Sequence, residues 1–283
     1  MEVAKKIIKF ILIFFLTVSI ILIGIIKILS TTILDKEYVK AKFEDNNFYE
    51  DIYQLVETNF QHYIDQSGLN EDILDDICSK EKVKQDIEII LANIYDGTNQ
   101  EIDTTSISEN LDKNIEKLGI RNNENAGAIK QYIIYICQEY TSTIMHTSYE
   151  NQINKLYISL LNKIEKLNKV CIIVLIIDIV LIIFINNKKI FKNLHEIGIA
   201  LFSSATFNLI ICQIVTSRID IKGIKLLNDA FSNILVTIIQ EIINKIIFLG
   251  IMLLIFAVIF IVINAMLVSI NVAKDERKIK WKK

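Results

Sequence analysis

The chain predicts an all-α integral membrane protein: four transmembrane helices, with a helical-bundle extracytoplasmic domain between the first and second. Three observations predict it. Hydrophobic residues make up 52% of the 283, more than an ordinary soluble domain carries. There is no proline and there are only eight glycines, so little interrupts long helices. Charge is also segregated: residues 31–170 hold 25 Asp/Glu against 14 Lys/Arg and all ten tyrosines, whereas the rest of the chain holds 8 against 17. An acidic aqueous region and a basic, apolar region are therefore distinct parts of one chain.

Residues 1–6 carry Lys5 and Lys6 and should stay in the cytoplasm by the positive-inside rule. The first span follows over 7–29, longer than the ~7–15 apolar residues of a signal-peptide core, and Ser30-Thr31-Thr32 is a poor cleavage site, so an uncleaved signal anchor is expected.

Residues 30–168 should then lie outside, folded as helices whose apolar residues recur every three or four positions. One face is Tyr49, Ile52, Tyr53, Val56, Phe60, Tyr63 and Ile64, ending at Gly68. A short helix is expected near Glu71 to Cys78, after which Ser79 caps a helix bearing Val83, Ile87, Ile90, Leu91 and Ile94, closed by Asp96-Gly97. Ile107, Leu111, Ile115 and Leu118 form a third face. Ile129, Ile133, Ile136, Tyr140 and Ile144 open a long helix, which a break near His146 to Tyr149 would separate from Ile153, Leu156, Leu160 and Ile164.

The second span, 169–186, runs inward to a basic loop at 187–196, and the third, 197–216, is interrupted by Ser203, Ser204, Thr206, Asn208 and Gln213. Charge requires that third span, because without it the fourth, 246–270, would deliver the basic tail 271–283 to the outside. Between them, 217–245 predicts an extracytoplasmic amphipathic helix on Ile224, Leu227, Phe231, Leu235, Ile238 and Ile242, docking against the external domain rather than lying on lipid. Both termini are then cytoplasmic, in a layout expected of a bacterial cytoplasmic membrane protein.

Asp178 is the residue whose placement most needs a reason, since a carboxylate at a span centre costs on the order of 2.5–3.5 kcal/mol. Ala200, Ser204 and Asn208 recur every four residues, which points to an intramembrane polar cluster of Asp178, Asn208 and Ser204. A structural clamp, proton or ion coupling, and a partner subunit all remain open for it. Cys78 and Cys137 share the external domain and could bridge; buried free thiols are the alternative, and Cys171 and Cys212 lie near the outer membrane face. Lys274, Arg277, Lys278, Lys280, Lys282 and Lys283 suit anionic inner-leaflet lipid, or serve only as a topogenic signal.

No metal, cofactor or catalytic motif emerges. His195-Glu196 lacks the second histidine of a zinc-protease helix, and His62, His146 and His195 are far apart. Glu71, Asp72, Asp75 and Asp76 sit where carboxylates complement a helix start, and Asp96-Gly97 lacks the alternating acids of a calcium loop. The expectation is a non-enzymatic surface sensing, binding or scaffold protein. It would act through its helical domain and a membrane or cytoplasmic protein partner, or by self-association, with the lipid bilayer as solvent and no nucleic acid. Its layout resembles bacterial sensory receptors, but 187–196 is too short for a signalling module. It also resembles mechanotransmitting permeases that work with a separate ATPase, which would put Asp178 in the membrane pathway.

Overall fold

The computed structural model describes residues 2–67, 70–120, 126–144, 150–187, 189–223 and 229–280. Every regular element among them is helical. In order they are α1 (Glu2–Ser30), α2 (Lys36–Asp45), α3 (Phe48–Ser67), α4 (Lys80–Asp96), α5 (Thr105–Lys117), α6 (Ala126–Ile144), α7 (Glu150–Ile185), α8 (Ile190–Arg218) and α9 (Asp229–Lys280), with 3-10 turns at Glu71–Leu74 and Ile221–Gly223. Four of them, α1, α7, α8 and α9, are long and apolar enough to cross a membrane.

The chain divides into two compact units. The helical unit comprises Asp35–Leu161 together with Lys225–Leu235. Its boundaries have local causes. The Asp35 carboxylate accepts from the amides of Glu37 and Tyr38 to start α2, and Ser79 Oγ accepts from Lys82 N to start α4. Gly97 ends α4 at φ 70°, a left-handed position where a side chain would be strained. The Glu71–Leu74 segment is only a 3-10 turn, because Asn70 caps its start and Asp75 turns extended after one turn. Gly68 and the segment 145–149 lie outside the described residues.

Most of the core comes from apolar faces the periodicity predicts, but Leu156 and Leu160, expected on such a face, are 63% and 50% exposed. Val56, Val83, Ile107, Leu111, Ile115 and Ile136 are all essentially inaccessible, and Ile129, Ile133, Tyr140 and Ile144 complete the inner face of α6. Polar groups key α3 onto α6: Asn59 donates to Glu139 and Thr143, and the Tyr63 hydroxyl donates to Glu139 at 2.9 Å. The start of α9 belongs to this unit. Phe231 meets Phe48 edge-on with ring centroids 5.0 Å apart, which is the docking expected of that amphipathic stretch. Its Ile224 and Leu227 lie outside the described residues.

The span-bearing unit comprises Met1–Leu34, Asn162–Ile224 and Val236–Lys283. Its principal pairing is α1 on α8, and Leu12, Leu16, Ile182 and Ala200 form a shared layer between α1, α7 and α8. A second layer joins Cys212 of α8 to Ile221 and Ile243. Close approach needs glycine here: a Cβ at Gly24 would strike Leu249 of α9, and one at Gly250 would come within 3.0 Å of Leu209 of α8.

Two boundaries differ from the sequence reading. The loop expected at 187–196 is a tight turn, since α8 already begins at Ile190 and Asn187 takes the left-handed φ of 51° that reverses the chain. The amphipathic stretch and fourth span are not separate helices either. From Asp229 on, the amphipathic stretch runs into the fourth span within the 52 residues of α9, whose single glycine packs against α8 instead of breaking the helix.

Candidate functional site

The span-bearing unit contains a buried polar network that the sequence analysis did not anticipate. Lys9 of α1 donates to Glu196 Oε1 of α8 at 2.8 Å and to Asn186 Oδ1 at the end of α7. Asn186 in turn donates to Glu196 Oε2 at 2.8 Å and to Asn193 Oδ1 at 2.9 Å. Asn186 and Glu196 are 3% and 7% exposed, so both are satisfied by protein rather than water. Three helices are thereby latched at one end by a charged pair and two amides. The signal for it was present in the sequence: Lys9 is a cation inside the first span, and Glu196 an acid at the start of the third.

The other polar residues of the bundle lie deeper than the latch. Beyond it comes the layer of Leu12, Leu16, Ile182 and Ala200. Asp178 lies one helical turn from Ile182 on α7 and Ser204 one turn from Ala200 on α8, while Asn208 is a further turn along α8, ~6 Å along the axis. Ser204 is committed elsewhere, since its hydroxyl donates to Ala200 O at 2.8 Å and lies 3.2 Å from Thr17 O. Asp178 is 4% exposed and Asn208 2%. Neither Asp178 Oδ2 nor Asn208 Nδ2 has a hydrogen-bond partner. The expected Asp178 to Asn208 clamp is therefore absent. The two residues are both buried in the span-bearing unit without meeting.

Within the helical unit a second buried polar group centres on Asp86, which is 1% exposed. Lys82 Nζ lies 2.7 and 2.6 Å from its two oxygens, and the Tyr140 hydroxyl donates to Oδ2 at 2.5 Å. Burial, then the bond to Asp86, pushes the Tyr140 hydroxyl above its ordinary range. Burial likewise pushes the neighbouring Cys78 thiol up to about 11, so it is a poor nucleophile at neutral pH.

Cys78 and Cys137 are free thiols and do not bridge. Cys78 faces a groove with Tyr53, Glu57 and Asp76, whereas Cys137 points toward Thr104 at the start of α5. Helix α6 explains the separation: Tyr140 takes the inward position beside Asp86, and Cys137 sits at the edge of that face. Cys171 and Cys212 are buried and free.

No group of three or more His, Cys, Asp or Glu among the described residues could hold a metal ion. In the acidic cluster, Asp72 receives the side-chain amide of Asn70, and the carbonyl of Asp75 accepts from Asn114; these contacts position a turn. Asp96 pairs with Lys36. His195 is exposed beside the latch and takes no part in it. The side chains of Lys274, Arg277, Lys278 and Lys280, and all of Lys282 and Lys283, lie outside the described residues. Compared with protein-family models, curated proteins and solved structures, the chain matches nothing.

Proposed function

We propose that this is a non-enzymatic multi-pass membrane protein whose helical unit projects from the membrane, binds a surface or protein ligand, and passes the resulting displacement to the span-bearing unit for a partner protein to read. The observation that carries this reading is the continuity of α7 over its 36 residues. Its first turns belong to the helical unit, where Asn154 donates to the carbonyls of Asn93 and Ile94 at 2.9 Å and Tyr157 meets Tyr95. Its last turn runs into Asn186 of the latch. A helix held at both ends transmits displacement better than a flexible linker, and with α8 beginning at Ile190 there is no room for a signalling module between α7 and α8, so this reading gives the output to a partner.

The orientation test uses cysteines placed at Asn99 and Asn187 in a Cys-free background. Labelling of the Asn99 position alone by an impermeant reagent in intact cells supports an external helical unit, and the reverse pattern overturns it. The relay test places a spin label at Asn187 and removes the α4 to α7 joint with Asn154→Ala. A changed label spectrum supports transmission, and an identical one argues against it.

The unpaired Asp178 favours one other reading, a permease-like subunit with Asp178 on a membrane pathway. Co-purification with an ATPase and loss of transport in Asp178→Asn would support that alternative over the sensor.

A further inference from the structure

We propose that the latched end of the span-bearing unit is a binding site for the phosphodiester headgroup of an anionic phospholipid, with Lys5, Lys6, Lys189 and Lys192 as its cations. The latch itself contributes little free charge, because Lys9 and Glu196 neutralise one another at 2.8 Å. It does determine what stands beside it. Lys5 and Lys6 precede Lys9 by about one turn of α1, and Lys189 and Lys192 flank the point where Asn186 and Asn193 meet. Two basic pairs, distant in sequence, are thus drawn to the same end of the bundle. All four lysines are exposed, and none forms an ion pair among the described residues.

The neighbouring surface selects lipid over a water-soluble acid. Phe10, Phe184 and Ile190 are 73%, 67% and 67% exposed, and they adjoin the lysines on α1, α7 and α8. Cations with apolar side chains just inside them match a phosphate attached to acyl chains. The lysines that precede the apolar part of α7 differ in setting, since Lys169 lies 3.9 Å from Glu165 on its own helix. The proposal uses none of the lysines of the C-terminal basic tail and does not depend on which way the protein faces.

The test offers the purified full-length protein an equimolar mixture of phosphatidylglycerol and phosphatidylcholine in detergent, and reads the retained lipid by native mass spectrometry. Wild type should retain phosphatidylglycerol preferentially, by at least about fivefold, the equivalent of ~1 kcal/mol from a single lysine. Lys189→Gln with Lys192→Gln should lose most of that preference, and Lys163→Gln with Lys166→Gln should keep it. Asn186→Ala alters no charge but removes the bonds that tie the end of α7, and with it the turn bearing Lys189, to α1 and α8. A fall in preference in that variant supports a site built by the latch, whereas an unchanged preference reduces it to a count of lysines and overturns it. Equal retention of both lipids by wild type would overturn the proposal outright and leave the four lysines to an acidic protein partner.

Discussion

Asp86 and Asp178 are both almost inaccessible carboxylates, and their surroundings make opposite demands. Asp86 receives Lys82 and the Tyr140 hydroxyl. Hydrogen bonds to a charged group contribute ~1.5–3 kcal/mol, so Tyr140→Phe should destabilise the helical unit by about that amount, read as a lower melting temperature in detergent. Asp178 has an oxygen with no donor to lose. Asp178→Asn should therefore leave thermal stability unchanged or raised, and a marked fall would mean that the carboxylate has a partner after all. The tyrosines add a pH dependence. Burial raises Tyr49, Tyr95 and Tyr132 from 10 to about 12, and Tyr140 is raised as well. The folded state thus keeps protons that the unfolded chain releases above pH 10. The stability these groups contribute is complete below pH 10 and is lost as pH rises toward 12, which melting curves across that window would detect.

At the scale of elements, α9 is shared between the units, with residues up to Leu235 in the helical unit and the remainder in the span-bearing one. Its first turns are tied down by Phe231 against Phe48. Phe231→Ala should cost about 1–3 kcal/mol locally. It should raise hydrogen exchange over residues 229–235 while leaving the span around Gly250 protected; equal exchange throughout would mean that α9 is not anchored there. The third span is the least apolar of the four, and the structure gives the reason. Gly198, Ala200, Ser204, Asn208 and Cys212 all face inward, so its small and polar residues are packed against other helices instead of exposed.

For the whole molecule, the all-helical class and most of the buried helix faces follow from pattern, whereas α2 over Lys36–Asp45 and the continuity of α9 do not. Ile107, Leu111 and Ile115, and likewise Ile129 through Ile144 on α6, repeat every three or four residues and are buried where that period places them. Gly97 and Ser79 mark ends because their conformational and hydrogen-bonding preferences are local. What the sequence determined about this protein is therefore its helical period, its caps and four spans of sufficient length, since each depends on residues within a few positions of one another. Only the tertiary structure decided which distant residues meet. Lys9 meets Asn186 and Glu196 across more than 170 positions of chain. Helix packing leaves Asp178 and Asn208 unpaired and turns Cys78 and Cys137 to different surroundings. Periodicity says which face of a helix is buried but not how far one helix slides along another, and a slide of a single turn separates a hydrogen-bonded pair from two solitary groups.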